Sequence, residues 1–307
     1  MSHWSILGSG VTALCVATAL HAHGESIEII GSNTHAMASH FAGGMLAPFC
    51  EAEAAPHFKA LYDFDAIAWW QRYSTQIVQN GTLVLAAKRD HHELQRFATR
   101  TFQHQWVKPH SLEPELEHIQ QALFFKDEAH LDPRLVLAEL SNNLIQQGVA
   151  LHSGKPSGKL IDCRGIYARD QISLRAVRGE MLILEQPELH FSRPIRLLHP
   201  RFPCYLVPRS HGRFMLGASM LESDSRQPIT ARSMMELLSA AYSIHPAFAE
   251  ASIVETGVGL RPAYSDNIPK IHYQQHTFYI NGMHRHGFLC APWLAEQLIH
   301  QLAGSAV

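Results

Sequence analysis

The sequence predicts an α/β chain with an α+β insertion, in which strand–helix units at both ends bracket an antiparallel sheet. Three observations carry this reading. The chain opens as strand, glycine turn, helix and strand. Residues 172–221 break into short apolar runs separated by Pro, Gly and Ser. The chain closes on strand, glycine-rich turn and helix.

Each element follows from local patterning. Trp4-Ser5-Ile6-Leu7 is a short apolar run, and Gly8-Ser9-Gly10 makes a tight turn after it. Val11–His23 is rich in Ala, Leu and Val and reads as a helix stopped by Gly24. Ser26–Ile30 is a second strand, which completes a βαβ unit. Residues 56–79, with Trp69, Trp70 and Tyr73, predict one long helix. Gly81–Ala86 predicts a strand and residues 90–105 a helix. Asp132-Pro133 starts a helix running to about Gln147, and Gly148–His152 is a strand. Met181–Leu184, Ile195–Leu198, Tyr205–Val207 and Phe214–Leu216 are the antiparallel strands, with His211-Gly212 as a hairpin turn. Residues 230–244 are helical, Phe278–Ile280 is a strand, and a last helix runs from about Pro292 to Leu302.

Composition bounds the function. The 307 residues are 46% hydrophobic and 17% charged, which suits one large or two modest globular domains and excludes disorder. The longest apolar stretches are about ten residues, too short to span a bilayer, so no membrane role is expected. A net charge of −2 offers no basic excess for a phosphate backbone and argues against nucleic acid. Five cysteines with no C-x-x-C pair read as reduced thiols. The N-terminus has no basic segment or cleavage site ahead of its first strand, so the expected location is cytoplasmic. The 22 histidines are spread along the chain, and His91-His92 and His284/His286 are the groupings considered for a metal. Neither grouping has a Cys or carboxylate at ligand spacing, so no metal is expected.

Gly8-Ser9-Gly10-Val11-Thr12-Ala13 is G-x-G-x-x-A between a strand and a helix. Gly8 permits the turn, and Gly10 lets a pyrophosphate approach the backbone. Ala13 lets the helix pack on the strand, and the helix N-terminus offers N–H groups and a positive dipole. This is the signature of a Rossmann-like dinucleotide site. The second strand ends Ile29-Ile30-Gly31, where an acid that binds a ribose hydroxyl is expected. Glu28 lies inside the strand and on the wrong face, which leaves Ser32 or Asn33 for the ribose. The alternative is a Rossmann-like fold that has lost tight cofactor binding.

Three further runs stand out: Ala38-Ser39-His40-Phe41-Ala42-Gly43-Gly44-Met45-Leu46-Ala47-Pro48-Phe49-Cys50-Glu51, Gly257-Val258-Gly259-Leu260-Arg261-Pro262 with Asp266-Asn267-Ile268-Pro269, and Asn281-Gly282-Met283-His284-Arg285-His286-Gly287-Phe288-Leu289-Cys290-Ala291-Pro292. Between them, Asp162-Cys163-Arg164-Gly165, Val177-Arg178-Gly179-Glu180, Tyr205-Leu206-Val207-Pro208-Arg209 and Gly217-Ala218-Ser219-Met220 keep the same order. With the first glycine turn, these resemble the D-amino-acid-oxidase-type flavoproteins over nearly the whole chain, and most of all the glycine oxidases of thiamine biosynthesis. The resemblance implies a discontinuous Rossmann-like FAD-binding domain (residues 1–78, 130–172 and 257–307) and an antiparallel-sheet substrate domain (79–129 and 173–256).

It also implies non-covalent FAD, a small amino acid or amine as substrate, O2 as acceptor, and an imine plus H2O2 as products. A homo-oligomer is compatible with it. Arg261 stands at the family's carboxylate-binding arginine, with Tyr205 near that carboxylate, Arg285 near the flavin or substrate, and Met220 shaping the pocket. Gly8, Gly10, Val11, Thr12 and Ala13 would serve the diphosphate, and Ser32 the ribose. Ser39, Ala42, Gly43, Gly44, Met45, Arg164 and Gly165 would line the cofactor. Gly282, His286, Gly287, Phe288 and Leu289 would contact its pyrimidine edge, beside a helix N-terminus after Pro292. No general base is required, since hydride leaves the α-carbon directly. The chain departs from the family at Gly31 and in the short segment 148–161, both at the adenosine end. Two other readings stay open: a dehydrogenase passing electrons to another acceptor, and a degenerate, non-catalytic relative.

Overall fold

The computed structural model describes residues 3–31, 37–55 and 58–304, the side chain of Leu61 excepted. Its first sheet has six strands, in the order Lys270–Gln274, Thr277–Asn281, Lys159–Asp162, His3–Leu7, Ser26–Ile30 and Ala150–His152. All neighbours are parallel except the outermost pair, 270–274 on 277–281. A parallel sheet must be covered by helices. Helix Val11–Ala22 is apolar on nearly every side because it lies between the sheet and the last helix. Ile6, Ile29 and Ile161 from the sheet, Leu14 and Leu20 from that helix, and Leu294 and Leu298 from the last helix share one apolar cluster.

The second sheet has nine strands. Its spine is Arg175–Glu185, which pairs with Arg213–Gly217 on one side and with Ser252–Ala263 on the other. It continues through Cys204–Arg209 and Ile195–Leu198 to Thr82–Ala86, the one parallel junction, and on to Ala122–Phe125 and Gln105–Val107. Helix Ala231–Ile244, capped by the Thr230 hydroxyl, buries Leu237, Ala241 and Ile244 against Leu182, Leu206 and Leu216 in a second apolar cluster. A small sheet of Met45–Leu46, Ala129–Leu131 and Ile77–Val78 lies apart from both. The hairpin at His211-Gly212 forms as read, with both residues at positive φ.

Three elements differ from the sequence reading. The long helix expected over 56–79 is two short ones, Ala60–Asp63 and Ala66–Tyr73. Phe64 is extended between them, and the Asp65 side chain accepts from the Ala68 N–H (2.9 Å) to start the second. Residues 56 and 57 lie outside the described residues. The helix expected over 90–105 ends at Arg100, where the Thr101 hydroxyl donates to the Phe97 carbonyl and the chain turns into strand Gln105–Val107. The last helix begins at Gly287 rather than Pro292. Pro292 has no N–H for the Phe288 carbonyl, and the indole N–H of Trp70 donates to that carbonyl instead (2.7 Å). The proline is tolerated because a distant tryptophan fills the missing bond. The twelve-residue strand Ser252–Ala263 went unread, since its glycines mask the alternation of a strand.

Candidate active site

The two large sheets and the segment 37–45 enclose a cavity of about 1620 Å³. Gly8, Gly10, Val11 and Thr12 line one end of it. Gly8 has φ +116, and a Cβ there would lie 2.8 Å from the Cys163 carbonyl oxygen. The Ser39 hydroxyl accepts from the Val11 N–H (3.1 Å), and no acidic residue stands in the first turn. A bare backbone at a positive helix N-terminus is the chemistry a diphosphate requires. Ala13 is fully buried beneath this turn and does not reach the cavity.

Glu28 faces away from the cavity. It accepts from Ser5 Oγ (2.5 Å) and from the Ser157 backbone N–H (2.7 Å), with His152 Nε2 at 3.0 Å, and these bonds hold its carboxyl down to about 2. Gly31 is packed on the first turn, where a Cβ would meet Ser9 Cβ at 2.9 Å. Ser32 and Asn33 lie outside the described residues. Arg164 and Gly165 line the cavity, but the Arg164 guanidinium is engaged by Asp162 (2.6 Å) and Asp170 (3.0 Å).

The middle of the cavity is built by Ala42, Gly43, Gly44 and Met45 on one side and by His286, Gly287, Phe288 and Leu289 on another. Gly44 has φ +72, and a Cβ would run into the Leu131 carbonyl. Two buried or half-buried arginines pin this turn through its carbonyls. Arg209 donates to Gly43 O (2.8 Å), and Arg134 donates to His40 O (3.2 Å) while pairing with Glu255. Across the cavity, His286 caps the last helix, its carbonyl accepting from the N–H groups of Leu289 (3.1 Å) and Cys290 (2.8 Å). Burial pushes its imidazole down to about 3, so the ring is neutral at the first turn. Gly282 does not line the cavity; its φ of +84 and its close approach to the Tyr264 ring are what require glycine there.

At the far end Arg261 projects from strand Ser252–Ala263, directly opposite Val177. Its guanidinium crosses Gly179, where any Cβ would collide with it. Nη1 donates to the Ser219 carbonyl (3.1 Å), and among the described residues no carboxylate pairs with it. Burial, and then the neighbouring Arg285, lowers its pKa to about 10. Met220 is 54% exposed at the cavity's edge.

Tyr205 and Arg285 also line the cavity, but both are tied to a residue the sequence reading passed over. The Tyr205 hydroxyl donates to Glu51 Oε1 (2.5 Å). Arg285 brackets the same carboxylate, with Nε 2.9 Å from Oε2 and Nη2 donating to Oε1 (3.1 Å). Arg196 lies 3.5 Å from Glu51 and donates to Tyr205 Oη (3.2 Å) and to the Cys50 carbonyl (2.9 Å). Burial alone would raise Glu51, but these cations and the tyrosine bring it down to about 2. Glu51 ends the glycine-pair run singled out in the sequence. No local signal marks it: it closes a four-residue helix, Pro48–Glu51, that the sequence reading did not find.

Among the described residues no group of three or more His, Cys, Asp or Glu could hold a metal ion, and no helix is long and apolar enough to cross a membrane. All five cysteines are buried and unpaired.

Comparison with known proteins agrees with this architecture. A model of FAD dependent oxidoreductases of the DAO type matches residues 3–301. A Rhizobium etli protein named, by inference, as a thiamine biosynthesis oxidoreductase, ThiO, is 46% identical over 96% of this chain and 94% of its own. A glycine oxidase of Bacillus licheniformis is 29% identical over 50% of this chain and 41% of its own. Among solved structures, iminodiacetate oxidase from Chelativorans sp. BNC1 superposes with a TM-score of 0.82 at 21% identity, covering 98% of this chain and 95% of that one. Glycine oxidase from Geobacillus kaustophilus does so at 0.76 and 21%, covering 97% and 94%. The chain belongs to the DAO family of FAD-dependent oxidoreductases.

Proposed function

We propose that this protein oxidises the carbon–nitrogen bond of a small amino acid or amine, glycine foremost, to the imine, with O2 reduced to H2O2. The observation that carries the reading is Arg261: a half-buried guanidinium facing the cavity, with one carbonyl contact and no carboxylate among the described residues. A planar fork of this kind is complementary to a substrate carboxylate. Glycine gives up a hydride from its α-carbon and a proton from its nitrogen. O2 takes up both electrons and two protons and leaves as H2O2.

Bound FAD supplies the two-electron acceptor between donor and oxygen. Gly8, Gly10, Val11 and Thr12 would hold its diphosphate, and Gly43–Met45 with Gly287–Leu289 its ring. The chain's own residues position and exclude. Arg261 fixes the carboxylate. Arg209 and Arg134 hold the Gly43–Gly44 turn through backbone carbonyls. Neutral His284, pushed down to about 4 by burial, and neutral His286 add no cation beside a substrate nitrogen that gains positive character as the hydride leaves. Two separate apolar clusters, one under each large sheet, support the division into a cofactor and a substrate domain. The likeness to ThiO supports a place in thiamine biosynthesis, with the imine as the useful product.

The test is direct. Glycine added anaerobically to the FAD-loaded protein should bleach the visible flavin bands. Readmitted O2 should restore them with one peroxide per glycine. Sarcosine and D-alanine rank the preference. Absence of bleaching by any small amino acid or amine overturns the reading.

A further inference from the structure

Two guanidinium groups, Arg261 and Arg285, face the same cavity, close enough that Arg285 lowers Arg261 and both lower His284. Their partners differ. Arg285 is held by Glu51 through two contacts, while Arg261 has only a carbonyl. Around them, Arg196 lies between Glu51 (3.5 Å) and Glu53 (3.7 Å). Glu53 also pairs with Arg100 (3.5 Å), and of Arg196, Arg261 and Arg285 it is Arg261 whose positive charge has no carboxylate partner among the described residues. Neither histidine adds to it. A cavity end carrying one uncompensated cation accepts one anion. A second carboxylate entering there would meet a paired Arg285 and the buried anion behind it.

We propose that Glu51 is a specificity-determining positioning residue: by occupying Arg285 it restricts the site to substrates with one carboxylate, and loss of its charge turns Arg285 into a second anion site. The substrate class follows as monocarboxylic amino acids or amines, with dicarboxylic ones disfavoured. Glu51 touches no substrate; it acts through Arg285 and through the Tyr205 hydroxyl it accepts from. The inference rests on Arg261 as the carboxylate anchor.

The experiment titrates the FAD-loaded protein with acetate and with malonate, following the flavin absorbance change on binding. Wild type should prefer acetate. Glu51→Gln should shift the malonate-to-acetate affinity ratio by about tenfold or more toward malonate. Glu51→Asp should keep the wild-type ratio, which a merely structural role for Glu51 would not predict. A Glu51→Gln protein that binds FAD and weakens both ligands equally, or leaves the ratio unmoved, overturns the proposal. Should that variant not fold, Arg285→Met decides. It leaves the Glu51 charge facing the cavity, so acetate should bind roughly tenfold more weakly, and the double variant Glu51→Gln/Arg285→Met should recover it. Acetate binding to Arg285→Met at wild-type affinity overturns the proposal. Arg261→Ala, titrated in parallel, separates the two claims: unchanged acetate affinity there sinks the anchor, whatever the Glu51 ratio shows.

Discussion

Replacing Arg261 by alanine tests the substrate reading with the clearest magnitude. In the folded protein this guanidinium is half-buried on the cavity wall, donates once to Ser219 O and has no carboxylate partner among the described residues. Most of its donors are therefore uncommitted within the cavity. A substrate carboxylate would gain a paired, charge-assisted contact away from water, worth about 2–4 kcal/mol. Removing the fork should raise KM for glycine and lower kcat/KM by roughly 30- to 1000-fold, since 1.4 kcal/mol is a factor of ten. Stability should move the other way or not at all. The substitution deletes a half-buried cation without a carboxylate partner, and partial desolvation of such a charge costs free energy in the free protein. Steady-state oxygen uptake gives the kinetic constants, and a thermal melt of the FAD-loaded protein gives the stability. A KM within twofold of wild type would refute the assignment. A large fall in melting temperature would refute the claim that Arg261 is held for ligand rather than for fold.

Three further outcomes follow from the same geometry. Gly44→Ala places a methyl against the Leu131 carbonyl at a positive φ, so the flavin-side turn should shift and FAD retention on gel filtration should fall sharply, by about tenfold or more. Gly31→Glu, which supplies the acid usual for a ribose hydroxyl, should weaken FAD affinity in a fluorescence titration, because any Cβ there presses on Ser9; tighter binding would contradict this. Glu128 is fully buried and pushed up to about 8, chiefly by burial, while its unfolded value stays near 4.5. The folded state then binds the extra proton, and stability falls as pH rises from about 4.5 to about 8. Glu128→Gln should therefore raise stability at pH 7 by on the order of 2 kcal/mol and flatten that pH dependence in urea melts.

Much of the cofactor end was legible because it obeys local rules. A glycine turn between a strand and an apolar helix is specified within a dozen residues, and the chain forms it, with His3 opposite Ser26 and Leu7 opposite Ile30 in the flanking strands. The long helix over 56–79 failed because the aromatic periodicity of Trp69, Trp70 and Tyr73 covers one short helix, while Asp65 marks a new start that apolar periodicity cannot show. The start of the last helix was displaced to Pro292 because a proline inside a helix looks like a beginning. Only the distant Trp70 makes the interior position tolerable. Glu51 and Arg196 were invisible for a different reason. Each is a single polar residue in its own element. They meet because Arg196 pairs across the sheet with Tyr205, and the glycine-pair run folds Glu51 onto both.

The arrangement of charge explains why the fold is built as it is around Arg261. An unpaired cation in the interior costs stability, and a chain under selection for stability alone would neutralise it, as Glu51 neutralises Arg285 a short distance away. The backbone instead makes room for the cost. Gly179 and Gly259 stand directly opposite each other in the central strand pair, and the first leaves the room in which the Arg261 guanidinium lies over the sheet face. The second lets Ala38 and Phe41 lie flat on the same strand, which carries the cofactor-side turn to within reach of the substrate end. The same two strands thus position the uncompensated charge and the turn that would support the flavin. The distance between the proposed anchor and that turn is then set by a long, bulged antiparallel ladder rather than by loops. For the hydride transfer we propose, where placement of the α-carbon is most of what a protein contributes, that rigidity would serve the reaction.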